Sequence, residues 1–279
     1  MRRVDPKLYT TDYYLTDCTG FGQFKRSWGQ ELEPRFQAIV PKLPPVSGLK
    51  VLDIGCGRGE LIFWSLDHGA HQALGIDYSP SAIKLANKAL THYPVSIRRR
   101  ARFRVLDAKH LKFPPRSFDA VLLTEVLEHL YPEEQDRVLS QVTRILKPGG
   151  WLFVHTSPSR IFIDFTYPRY CYPVGQSLVW LWNFLFHRHY PGPARPGQLR
   201  TPSHLLMHVA EPDYFSLARL FSRHGLAGPI RSTNVTIKKP VLSWKDSLFN
   251  FLVYLTPVSN YFPFNIWFAN DFHAVLRLS

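Results

Sequence analysis

Val51-Leu52-Asp53-Ile54-Gly55-Cys56-Gly57-Arg58-Gly59 is a short apolar run that ends in an acid and then in three glycines at alternate positions. Glycines at that spacing let the backbone turn sharply and leave no Cβ where a ligand must lie against the main chain. Such a turn between a strand and a helix is a nucleotide-binding device. A dinucleotide turn reads G-x-G-x-x-G, with a pyrophosphate at the helix N-terminus. Here the third glycine comes one residue early, Glu60 stands where the last glycine belongs, and Asp53 opens the turn. A carboxylate in that place suits a cationic ligand carrying hydroxyls and an ammonium group better than a diphosphate. The spacing therefore argues against a nicotinamide-dependent oxidoreductase.

Further landmarks follow in order. Asp77 closes the apolar run Ala73-Leu74-Gly75-Ile76, and Asp107-Ala108 follow Phe103-Arg104-Val105-Leu106. Phe118-Asp119-Ala120-Val121-Leu122-Leu123 leads into Glu125, and Leu146-Lys147-Pro148-Gly149-Gly150 precedes Trp151-Leu152-Phe153-Val154. From Val51 to Ser157 the chain resembles the class I S-adenosylmethionine-dependent methyltransferases of the type 11/12 kind. The resemblance implies an α/β fold: a doubly wound, mostly parallel seven-stranded sheet, last strand antiparallel, with helices on both faces. It implies S-adenosylmethionine as methyl donor. Asp77 would accept from both ribose hydroxyls, with Tyr78 beside it. Gly55, Cys56, Gly57 and Gly59 would let the backbone approach the methionine portion, and Asp53 would hold its ammonium. Asp107 and Ala108 would face the adenine, and Glu125 would close the set. Asp77 also lies roughly 20 residues past the glycine turn, the spacing of a ribose-binding acid.

The organisation supports one catalytic domain. Residues 1–47 are polar and aromatic and read as an N-terminal cap. Residues 48–156 alternate strand and helix, which argues for a parallel sheet covered on both faces. Ser79-Pro80 reads as a helix cap followed by proline at the first helical position, with Ile83, Leu85, Ala86, Ala89 and Leu90 as the apolar face. Pro132, Glu133 and Glu134 open another helix, with Val138, Val142 and Ile145 facing the sheet. Residues 157–203 form an aromatic, substrate-side insertion. Residues 204–279 complete the domain with a helix over Pro212–His224, a strand near Val235-Thr236-Ile237, an apolar helix near Trp244–Leu255 and a closing strand Phe272–Leu278.

With 279 residues and 45% apolar composition, the chain can bury a substantial core. Cys18, Cys56 and Cys171 are too scattered for a metal cluster or a disulfide framework, which fits a reducing cytoplasm. The N-terminus shows no apolar signal core. The longest apolar runs, around Leu178–Phe186 and Leu248–Leu255, fall short of the ~20 residues a span needs, so membrane contact is peripheral at most. The net charge of +13 is partly concentrated in Arg98–Arg104. Without an aromatic platform or an RNA-binding signature, that run reads as a solvated loop. Oligomeric state is not legible.

Methyl transfer from a sulfonium needs a placed nucleophile and, for a hydroxyl, removal of its proton. If Glu125-Val126-Leu127-Glu128-His129 is helical, Glu125, Glu128 and His129 share a face beside the methyl donor. The E-x-x-E-H element resembles that of small-RNA 2′-O-methyltransferases and polyprenyl-catechol O-methyltransferases, which use a divalent ion; His208-Val209-Ala210-Glu211 would then supply a further histidine. The same E-H also occurs in metal-free relatives. The preferred reading has no metal, with His129 and His208 as catalytic candidates at the substrate mouth; a metal at Glu125, Glu128, His129 and His208 is the alternative. His155 and His204 are weaker candidates for the base. Aromatics and arginines in 157–203 point to a small-molecule, lipid-linked or glycan acceptor. An RNA 2′-O-methyltransferase and a non-catalytic donor-binding subunit are the alternatives.

Overall fold

In the computed structural model, which describes residues 4–234, 241 and 243–278, three short helices come first: α1 (Thr11–Thr16), α2 (Phe21–Ser27) and α3 (Pro34–Ile39). The alternating part runs β1 (Lys50–Ile54), α4 (Glu60–Asp67), β2 (Gln72–Asp77), α5 (Pro80–Leu90), α6 (Val95–Arg100), β3 (Ala101–Val105), β4 (Phe118–Thr124), α7 (Pro132–Ile145) and β5 (Leu146–Thr156). A wide, π-type helical stretch over Phe162–Cys171 then runs into α8 (Tyr172–Phe186). After it come α9 (Pro202–Met207), α10 (Tyr214–Arg223), β6 (Leu226–Ala227), β7 (Ile230–Arg231), α11 (Trp244–Tyr254), α12 (Asn265–Phe268) and β8 (Phe272–Leu278).

The sheet order is β3-β2-β1-β4-β5-β8-β6, with β7 also on β8. β1 to β5 are mutually parallel, and β8 runs antiparallel to β5. The pleat sends alternate residues to opposite faces. Val51, Ala120, Leu122 and Phe153 pack against α4, α6 and the N-terminal Phe24 and Ile39. Leu52, Ile54, Val121, Leu123 and Val154 pack against α7 and α10. Burying each such side chain contributes about 1.5–3 kcal/mol, so the parallel strands are held from both sides.

Local signals place most elements. Ser79 Oγ accepts from Ala82 N at the start of α5, and Val138, Val142 and Ile145 of α7 are fully buried. Three expectations change. Among the described residues the sheet counts eight strands, the expected seven with the edge strand split in two at Gly228-Pro229. A Cβ on Gly228 would lie 2.1 Å from the Val275 carbonyl oxygen, and Pro229 has no N–H to give the ladder; two short strands, β6 and β7, flank the break. The strand expected near Val235-Thr236-Ile237 lies outside the described residues. Finally, Arg98–Arg104 is not a loop. Arg98, Arg99 and Arg100 end α6, while Arg102 and Arg104 lie on the edge strand β3. Arg100 donates to the Ala70 carbonyl at 2.7 Å, just beyond α4.

Candidate active site

Strand order reverses between β1 and β4, the place where open sheets leave a crevice beyond their carboxyl ends. A cavity of about 460 Å³ opens there. One wall is the glycine turn. Gly55 and Cys56 both donate to the Ile76 carbonyl, at 2.8 and 3.0 Å, which pins the turn to β2. Gly55 has φ 72°, and a Cβ there would meet Val126 Cγ2 at 2.4 Å, so only glycine fits.

Asp77 is 5% exposed yet lines the cavity. Its carboxylate accepts from Ser79 N at 2.8 Å and from Gly57 N at 3.1 Å. Burial raises its pKa to about 6, and those backbone N–H groups hold it from going higher. Tyr78, Asp107 and Ala108 complete this end. Asp107 Oδ1 accepts from Lys109 N at 2.9 Å, and Lys109 Nζ lies 3.4 Å from its other oxygen. Cys56 and Gly57 also line the cavity, whereas Asp53 and Gly59 do not. Asp53 sits behind the wall at 2% exposure, and burial pushes its pKa well up, with Asp77 and Glu60 adding to the effect. Gly59 has φ 91°, and a Cβ there would strike Phe103 at 2.7 Å; its task is to let α4 start against β3.

The opposite wall departs from the expected helical face. Only Leu127–His129 forms a single 3-10 turn, and Glu125 sits in the left-handed region at φ 55°. That conformation is costly for a residue with a Cβ. The Glu125 carboxylate, still at the cavity wall, forms an ion pair with Arg35 Nη1 at 2.6 Å and a short contact with His155 Nδ1. His155 Nε2 in turn lies 3.9 Å from Asp271 Oδ2, ion-pair range without a hydrogen bond. Burial favours neutral His155, but Glu125 and Asp271 outweigh it and raise the imidazole to about 9. His155 is fully buried between two carboxylates and does not line the cavity.

Glu128, His129 and His208 do converge, with one ligating atom from each lying within 4.8 Å of the others. Val209 N and Ala210 N both donate to the Glu128 carbonyl, which brings the His208 loop to this point. Glu128 Oε2 accepts from Thr156 Oγ1 at 2.7 Å, while Oε1 is buried without a partner. Burial and the nearby Glu125 raise the Glu128 carboxyl to about 7. His129 lies 2.9 Å from the Tyr9 hydroxyl and 3.2 Å from the Met207 carbonyl, both through Nδ1. Burial, with His208 adding, lowers its pKa to about 3, so the ring is neutral. Burial also opposes charge on His208, but Glu211, 3.6 Å from its Nδ1, and Glu128 raise its pKa. Arg200 clamps Glu211. His204 stacks on His208 with ring centres 4.6 Å apart. His129, His204 and His208 line the cavity; Glu128 lies behind them.

Three residues in the site carry no local sequence signal. Arg35 reaches in from α3. Tyr9 meets His129. Arg58, 3% exposed, donates to the carbonyls of Tyr14 and Thr19 at 2.9 and 2.8 Å and pairs with Glu60. That arginine, between two glycines of the turn, fastens the N-terminal helices over the cavity.

Comparison with known proteins agrees with this geometry. The family described as "Methyltransferase domain" matches residues 52–154. The ubiquinone biosynthesis O-methyltransferase of Leptothrix cholodnii is 35% identical over 167 residues, 56% of this chain and 65% of that protein. The tRNA U34 carboxymethyltransferase of Idiomarina loihiensis is 32% identical over 122 residues, 44% of this chain and 37% of that protein. The chain thus spans less than two thirds of the length of these curated relatives. A crystal structure of an S-adenosylmethionine-dependent methyltransferase from Mesorhizobium loti superposes with a TM-score of 0.56 at 19% identity, covering 88% of this chain and 97% of that one; it shares the fold.

Proposed function

We propose, from the match of residues 52–154 to a methyltransferase domain and from the fold around it, that this is a class I S-adenosylmethionine-dependent methyltransferase that methylates a hydroxyl of a small amphiphilic acceptor, lipid-linked or sugar-containing. The observation that carries the reading is a single cavity with Asp77 and the glycine turn at one end and three histidines at the other. The two curated relatives described above are partial matches, and one of them is named as an O-methyltransferase.

When bound, the methyl donor supplies an activated methyl on sulfur with an excellent leaving group. The chain's share is placement and proton removal. Asp77 holds the ribose through charge-assisted hydrogen bonds, Gly55 and Gly57 admit the methionine portion, and Asp107 and Ala108 take the adenine. With a donor held by Asp77 and the glycine turn, the acceptor oxygen would take the methyl carbon, the S–C electron pair staying on sulfur. The hydroxyl proton passes to His208, which Glu211 orients from the Nδ1 side. Neutral His129, held by Tyr9, hydrogen-bonds the acceptor. Residues 1–47 act as the cap, 48–156 as the donor-binding core, 157–203 as the acceptor-side insertion and 204–279 as the remainder of the catalytic domain. With all three cysteines free, we place the enzyme in the reducing cytoplasm.

A second reading keeps the same transfer but puts a divalent cation among Glu128, His129 and His208. The unpartnered Glu128 Oε1 favours it, and one carboxylate with two imidazoles is a fitting donor set. Glu125, included in the set expected from sequence, is committed to Arg35 and His155. Such an ion would lower the pKa of the acceptor hydroxyl. A transfer assay with labelled methyl donor against pooled lipid, glycan and RNA extracts, with and without chelator, tests both readings. We expect label in the lipid or glycan pool and turnover indifferent to chelator. Chelator-sensitive turnover selects the metal reading, and label in RNA alone overturns the acceptor class.

A further inference from the structure

We propose that α8 and α11 form a peripheral anchor that seats the chain on an anionic lipid bilayer. The two helices pack antiparallel. Gly175, early in α8, lies against Phe249 and Val253, late in α11. At the other end Lys245 Nζ sits 4.7 Å from the Trp182 ring and 5.9 Å from that of Trp244. The base of the pair is held by a core of Phe162, Ile163, Tyr167, Cys171, Val253 and Tyr254. The far end is apolar and bare: Trp180 is 67% exposed, Phe184 66%, Leu185 58% and Trp244 70%. Bulky aromatics left in water on adjoining helices mark an interaction surface.

Three observations select a lipid surface as the occupant. α8 carries no charged residue over its 15 positions, its polar side chains being confined to Tyr172, Gln176, Ser177 and Asn183, so it lacks the charged face of a helix turned to solvent. At ~1.5 Å per residue it is about 22 Å long, and among the described residues no helix is long and apolar enough to cross a membrane. The exposed Trp180 of α8, like Trp244 of α11, suits the headgroup depth at which such rings sit in a bilayer. The charge is complementary as well. Between Asp164 and Glu211 there is no acidic residue, while Arg169, Arg188 and Arg195 fall in that interval beside Arg200, which is paired with Asp164 and Glu211, on a chain of net charge +13. Arg188 lies two residues past α8 and Lys245 sits between the two tryptophans, where each would be drawn to an anionic leaflet.

The same segment enters and leaves through the cavity. Ser157, Pro158 and Ile163 line it before α8, and Leu199, Thr201 and His204 line it afterwards. An acceptor with a lipid tail would therefore present its head group to the cavity without leaving the bilayer. This last step rests on the proposed activity; the anchor itself does not.

Vesicle co-sedimentation of the full chain tests the anchor. We expect binding to phosphatidylcholine vesicles containing phosphatidylglycerol, weaker binding to phosphatidylcholine alone, and weakening by salt. Trp180→Glu with Phe184→Glu should lower the affinity about tenfold or more, with circular dichroism unchanged. Arg188→Glu with Lys245→Glu, which leaves the apolar face intact, should abolish the preference for phosphatidylglycerol. No sedimentation of the wild type with any vesicle, or variants that bind as it does, would overturn the anchor. So would wild-type self-association that the glutamate variant loses, which would assign the face to a second copy of this chain. Calorimetric titration of the same preparations with S-adenosylmethionine keeps the two readings apart: no heat there with vesicle binding intact would defeat the activity and leave the anchor standing.

Discussion

Tyr9 and His129, 120 residues apart in sequence, meet at 2.9 Å between hydroxyl and Nδ1. The Tyr9 carbonyl also accepts from Ser79 Oγ at 2.8 Å. One residue of the N-terminal segment therefore bridges the loop after Asp77, at one end of the cavity, and the His129 imidazole, at the other. Tyr9 couples the cap to both halves of the cavity.

Tyr9→Phe should remove that hold on the His129 ring while keeping the aromatic packing on Tyr13 and Tyr78. A net hydrogen bond of about 1 kcal/mol corresponds to a loss of about fivefold in kcat/KM. Steady-state kinetics beside a melting curve checks this, with the melting temperature near that of the wild type.

Asp77→Asn should weaken S-adenosylmethionine binding about 10- to 100-fold, since hydrogen bonds to a charged group contribute about 1.5–3 kcal/mol. Asp77 titrates near 6, and the ribose hydroxyls need the ionised, acceptor-only form. Affinity should therefore fall as the pH drops through about 6. Calorimetry with equal affinities at about pH 5 and pH 8 would contradict the assigned role.

Turnover should rise with pH as His208 loses its proton, because only the neutral ring accepts one. Glu211 helps hold the His208 pKa up. Glu211→Gln should then move the acidic limb of the kcat profile to lower pH, whereas His208→Ala should remove that limb and most of the turnover. An unchanged limb in the Glu211 variant assigns the titration to another group.

His155 and Glu125 bound the pH range of greatest stability. The folded pKa of His155, about 9, lies above the ordinary value of 6.5. Its contribution is complete below that value and is lost as pH rises through about 9. Burial alone would raise Glu125, but Arg35 and His155 bring it down to about 2, so its contribution is present above 4.5 and lost as pH falls toward 2. Urea midpoints against pH should decline on both sides. Glu125→Gln, which strips a buried pair of one partner, should cost about 3–5 kcal/mol and flatten the alkaline decline.

Much of the fold was legible because its signals are local. The Ser79-Pro80 cap, the buried spacing of Val138, Val142 and Ile145, and the closing strand Phe272–Leu278 each depend on neighbours within a few residues. The broken edge strand was not, since Gly228 is required by the carbonyl of Val275 across the sheet. The glycine turn and Asp77 could be read as lying together, and they share one wall of the cavity, yet Asp53 and Gly59 fall behind it. Residue type marks the turn, whereas the depth of each side chain depends on what packs over it.

From the chain alone came the order of strands and helices, the glycine turn and the acid that follows it, because backbone freedom and apolar periodicity act over short distances. Folding decided which charges meet. A regular helix would have put Glu125 beside Glu128 and His129; a left-handed backbone at Glu125 instead gives it to Arg35, 90 residues earlier, and to His155, 30 residues later. Ionic attraction depends on separation in space, which the spacing of letters along the chain does not contain.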